Sequence, residues 1–88
     1  MAVGIQLSRG SPQAGDSYCF VVCDASGSPP DVRVRVDGGS WQPVSSDPLG
    51  SGKFLVCVDI PPGARHLDIA VTDAAGTSVT RAGVAVMP

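Results

Sequence analysis

Three cysteines, one histidine, one tryptophan and eight acidic residues, all of them Asp, are the groups of this 88-residue sequence with the most chemistry to offer. Cys19 and Cys23 are separated by three residues inside a strand-like run, and His66 stands far along the chain, so the ligand spacing of a zinc site on tight turns is missing. Three cysteines cannot all pair within one chain, so at least one thiol is free or intermolecular, and the set does not read as the framework of a disulfide-stapled protein. Nucleophilic catalysis needs a nucleophile, a base in hydrogen-bond reach and a group to orient that base. The base candidate, His66, follows a Pro-Gly-Ala-Arg turn and shares the outward parity of Asp68, which is the place of a solvated strand-end residue. A glycosidase pair would need two carboxylates across a cleft, whereas these aspartates are spread over turns. The expectation is a non-enzyme without a cofactor.

Calcium is a better-posed possibility, because hard cations gather several oxygens. Asp24 and Asp31 border one loop and Asp73 opens another turn at the same end of the expected fold. They are weak candidates, since the loops lack the dense ligand spacing of a dedicated site and a short acceptor beside Gly, Pro or Ser serves a turn equally well. Trp41 follows Gly38-Gly39-Ser40. A lone aromatic there could stack on a sugar, and the favoured reading has it closing the end of the core beneath Pro61-Pro62.

The elements that must position these groups are short. Eleven Gly and eight Pro mark frequent turns, and long helix-forming stretches are missing. Val3, Ile5 and Leu7 alternate with polar or small residues, and a loop through Arg9-Gly10-Ser11-Pro12 follows. From Ser17 to Cys23 both parities are apolar, with Tyr18, Phe20 and Val22 on one face and Cys19, Val21 and Cys23 on the other. Val32, Val34 and Val36 alternate with Arg33, Arg35 and Asp37, and a Gly-Gly turn leads into a short strand at Trp41 to Val44. Residues 45–52 read as a loose loop. Phe54, Val56, Val58 and Ile60 share one face against Leu55, Cys57 and Asp59, and Pro61-Pro62-Gly63 stops that strand. Leu67, Ile69 and Val71 form another inward row. In the last strand Val79 sits on one parity and Val84 with Val86 on the other, which requires an extra residue and predicts a bulge near Ala82-Gly83.

About seven short strands at roughly ten-residue intervals are the signature of an all-β Greek-key sandwich, here a single domain over residues 1–88. The strands at Val3, Ser17 and Phe54 are expected in one sheet, and those at Val32, Trp41, Leu67 and Val79 in the other. Asp24-Ala25-Ser26-Gly27, then Val32 through Asp37-Gly38-Gly39-Ser40-Trp41, Pro62-Gly63-Ala64-Arg65-His66-Leu67, and Val71-Thr72-Asp73-Ala74-Ala75-Gly76 carry a resemblance to bacterial and phage Ig-like and fibronectin-III-like modules. It covers nearly the whole chain from Asp16 onward. Such modules occur in adhesins, carbohydrate-active enzymes and phage structural proteins, so the resemblance implies the architecture and a function only as a class. The chain departs from antibody-type domains, because Cys57 falls on the Phe54 strand.

The informative asymmetry lies between the two sheets. One sends Arg33, Arg35, Asp68 and Thr72 outward, and the other sends Cys19, Val21, Cys23, Leu55 and Cys57. An exposed apolar patch on a small domain usually marks a partner site, the alternative being coverage by the first strand and N-terminal loop of the domain itself. With a net charge of −2 and scattered basic residues, no nucleic-acid footprint is expected. No apolar run reaches the ~18 residues of a membrane span, and no export signal is evident at Met1-Ala2-Val3-Gly4. The leading expectation is a small accessory protein, a decoration or tail-associated Ig-like protein docking on a phage particle or similar assembly. The alternative is a carbohydrate-binding or adhesive module of a secreted or cell-surface bacterial protein.

Overall fold

The computed structural model describes residues 3–7 and 11–88, so Arg9 and Gly10 of the expected first loop lie outside the described residues. Eight strands run in the order β1 (Val3–Leu7), β2 (Ser17–Asp24), β3 (Asp31–Val36), β4 (Gln42–Val44), β5 (Asp47–Gly50), β6 (Lys53–Asp59), β7 (His66–Thr72) and β8 (Ser78–Ala85). They form two four-stranded sheets, β1-β2-β6-β5 and β4-β3-β7-β8, with antiparallel pairing throughout both ladders. The division between sheets is the one expected from the connection rules of such sandwiches. The addition is β5, expected as loop, which pairs with the first half of β6.

Period-2 alternation is what drives the packing, because successive side chains on a strand point to opposite faces. Tyr18, Phe20 and Val22 of β2 and Phe54, Val56 and Val58 of β6 meet Val32 and Val34 of β3 and Leu67, Ile69 and Val71 of β7 in one core. Each fully buried aliphatic or aromatic side chain contributes roughly 1.5–3 kcal/mol of transfer free energy, opposed by the ordering entropy of the chain. Ile5, Leu7, Val36, Val44, Val79 and Val84 pack at the margins of this core.

Two backbone devices shape the ends. Leu67 pairs with Val84 and Ile69 with Arg81, so Ala82 and Gly83 together oppose Asp68, which is the expected bulge. Gly83 takes φ +71°, a left-handed conformation that glycine adopts without steric cost. Gly52, at φ +75°, is fixed more tightly: a Cβ there would lie 2.6 Å from the Asp24 carbonyl oxygen.

Asp68 corrects one expectation. It stands on the outward parity of β7 yet is buried. Its Oδ1 accepts the Gly83 N–H at 2.7 Å and its Oδ2 accepts Arg35 Nε at 2.6 Å. The Gly83 hydrogen bond, then the Arg35 contact, hold this carboxyl below its ordinary range against the opposing effect of desolvation.

Candidate functional site

The outer face of the β1-β2-β6-β5 sheet follows from register. Cys19 stands opposite Cys57, Val21 opposite Leu55 and Cys23 opposite Lys53. On the other side of β2, Gln6 lies opposite Val21 and Gly4 opposite Cys23. Every inward residue of β2 from Tyr18 to Val22 is buried, so the Cys19, Val21, Cys23, Leu55 and Cys57 side chains share the outer face, as their parity implies. Cys19, Val21, Cys23 and Leu55 are half-buried and Cys57 is exposed. β1 lies beside β2 as an edge strand rather than over this face, so among the described residues the first strand does not cover it. Ser17, Asp59, Asp47, Lys53 and Gln6 stand in register around the apolar centre and give it a polar rim.

Cys19 and Cys57 form a disulfide, and Cys23 is the free thiol. The pairing follows from strand geometry. Ile60 donates its N–H to the Asp16 carbonyl and accepts from Gly15, so Ile60, and by alternation Val58 and Val56, direct backbone groups toward β2. Cys57 directs its groups the other way, and Cys19 and Cys57 are therefore a non-hydrogen-bonded pair. Side chains of such pairs approach most closely, and the Cα atoms here are 4.0 Å apart. The bridge places a compact apolar group at the middle of the face.

The remaining candidates separate. Asp24 ends β2 and is buried, with Oδ1 accepting the Ser26 N–H at 2.9 Å and the Ser26 hydroxyl at 2.7 Å. Among the described residues its Oδ2 has no hydrogen-bond partner. Asp73 Oδ1 accepts from the N–H groups of Ala75 and Thr77, the arrangement of a side chain that shapes a turn. Asp24 and Asp73 line one cleft, but Asp31 is drawn away onto Arg33 Nε at 3.2 Å. Among the described residues no three His, Cys or Asp side chains are grouped to hold a metal ion.

Trp41 is not in the core, which corrects the expectation that it closes the end of the sandwich under Pro61 and Pro62. Val34 pairs with Gln42, which brings Trp41 beside Arg35 on the outer face of the second sheet. The Arg35 guanidinium carbon lies 4.5 Å from the ring centroid, a cation–π arrangement. One face of the ring is therefore occupied. His66 is exposed at the start of β7, and its backbone N–H, with that of Arg65, donates to Asp37 Oδ1. Those two hydrogen bonds hold the Asp37 carboxyl below its ordinary range.

This geometry defines an immunoglobulin-like β-sandwich. The crystal structure of the titin M3 domain superposes with a TM-score of 0.55 at 21% identity, covering 99% of this chain and 96% of that one. No family model matches the sequence, and no curated protein matches it. The likeness carries the fold; the arrangement of side chains on the faces belongs to this chain.

Proposed function

We propose that this domain is a non-catalytic interaction module that docks through the outer face of its β1-β2-β6-β5 sheet, as a small accessory protein on a phage particle or similar extracellular protein assembly. The observation that carries the reading is the apolar centre of Val21, Leu55 and the Cys19–Cys57 bridge, uncovered by β1 and rimmed by Asp47, Asp59, Lys53 and Gln6. An apolar centre within a polar rim is the usual anatomy of a protein interface. The disulfide suits an oxidising location such as a virion or cell surface. Phage structural proteins are one of the classes of Ig-like module that the sequence motifs resemble, beside adhesins and carbohydrate-active enzymes. The carbohydrate alternative is left with only one face of Trp41 for stacking, because Arg35 takes the other.

Val21→Lys tests the reading, since it sets a charge in the centre of the face without touching the core. The variant is expected to fold, by circular dichroism, and to lose occupancy on the assembly and any weak self-association of the free chain. Normal folding with undiminished occupancy excludes Val21 from the interface.

A further inference from the structure

The sandwich has one side where strand edges are shut and a short stretch where they are open. Asp37 donates its N–H to His66, so Asp37, Arg35 and Arg33 turn their backbone groups to β7 and Val34 and Val32 turn theirs to β4. In β4, Gln42 and Val44 answer Val34 and Val32, leaving Pro43 to face outward. Proline has no N–H to offer an incoming strand, so this edge is blocked. The same alternation makes Asp47 the β5 residue bonded to Leu55 of β6 and leaves Pro48 facing outward.

β5 stops covering β6 at Leu55. Beyond it, Cys57 and Asp59 point their N–H and C=O groups to the open side, and both residues are exposed with no backbone partner for those groups among the described residues. Beside this stretch a groove of about 380 Å³ opens between the sheets, its apolar lining supplied by Val34, Val36, Val44 and Val58. A strand edge and an apolar slot thus stand side by side, the two requirements for capture of an extended peptide by strand addition.

We propose that this edge binds an extended, lysine-flanked peptide segment as an added strand, independently of the outer-face reading. Three residues suffice for the register. The first and third bond Cys57 and Asp59 and point outward; the middle one, a small β-branched residue, enters the groove over Val58. The charge of the partner follows from the free charges near the slot. Asp59 and Asp47 are exposed carboxylates, while the Arg35 guanidinium is engaged by Asp68 and Trp41. Lys53 lies six residues from Asp59 along β6, about 20 Å at ~3.3 Å per residue. Basic residues at the outward positions therefore meet acids and, among the described residues, no free cation.

The probe is the heptapeptide acetyl-Lys-Thr-Lys-Val-Lys-Thr-Lys-amide, titrated into the isotopically labelled, disulfide-bonded domain at low salt. The expected result is amide exchange slowed at least tenfold at Cys57 and Asp59, with shift changes at Val36, Val44 and Val58. A Lys-to-Glu version of the peptide is expected to bind at least fivefold more weakly, as is the wild-type peptide to Asp59→Lys. N-methylation of the two lysines flanking the valine should abolish binding, while N-methylation of the valine, whose N–H faces away, should not. Equal loss from both methylations overturns strand addition. Absence of protection at Cys57 and Asp59 at millimolar peptide overturns the site. Perturbation confined to Val21 and Cys23 overturns it too, and leaves the outer-face interface standing.

Discussion

Removal of the Asp68 carboxylate is the perturbation whose size the structure fixes best. In Asp68→Ala the bulged Gly83 N–H loses a charged acceptor at 2.7 Å, and Arg35 loses its partner at 2.6 Å. A hydrogen bond to a charged group contributes about 1.5–3 kcal/mol. The ionic part of the Arg35 pair adds less than about 1 kcal/mol, because the Arg35 side chain is one-third exposed and screened. The expected loss is about 2–3 kcal/mol, which for a domain of this size lowers Tm by roughly 10–20 °C. Urea unfolding followed by far-UV circular dichroism measures it. The folded Asp68 carboxyl titrates below its ordinary value of 3.8. Its contribution is therefore complete above the unfolded value and is lost as pH falls below about 4 toward the folded one. The gap between wild type and variant should close on acidification through that window. A cost under about 0.5 kcal/mol, or a gap that does not change between pH 7 and pH 2.5, would refute the argument that the carboxylate closes the bulge.

Val34→Ala, on the inner face of β3, should cost about 1–2 kcal/mol in the same urea experiment, and an unchanged midpoint would contradict its inward orientation. Gly52→Ala should destabilise by at least about 1 kcal/mol, since the new methyl meets the Asp24 carbonyl at a positive φ, whereas Gly27→Ala, with open space around it, carries only the conformational part of that cost. Thermal melts with and without a chelator should coincide, because turn N–H groups or an arginine occupy a carboxylate oxygen of each of Asp24, Asp31 and Asp73. A large drop with chelator would mean that a cation at Asp24 and Asp73 holds the two turns.

Where one face of a strand is buried, its sequence states its orientation. The Tyr18, Val32, Phe54 and Leu67 strands were legible for that reason, and the parity break before Val84 disclosed the bulge at Ala82-Gly83. All four residues of β5 are exposed, so Asp47-Pro48-Leu49-Gly50 carries no alternation to read. The disulfide depends on the register between β2 and β6, at a separation of 38 residues, and composition holds no trace of register. Trp41 was misplaced because an aromatic after a Gly-Gly turn suggests burial, while its place beside Arg35 follows from the pairing of β3 with β4. Asp68 was read as solvated because its parity is outward; what buries it is the bulge of another strand. The common face of Cys19, Val21, Cys23, Leu55 and Cys57 needs only the parity of two strands.

Docking through that face is tested most directly at Cys23, the free and half-buried thiol beside Val21. Its rate of alkylation by a maleimide is measured on the isolated domain and on the domain within the assembly purified from its source, with the Cys19–Cys57 bridge intact in both. Docking predicts a reactive thiol in the free chain and modification slowed at least tenfold in the assembly. Equal rates in the two states would contradict it.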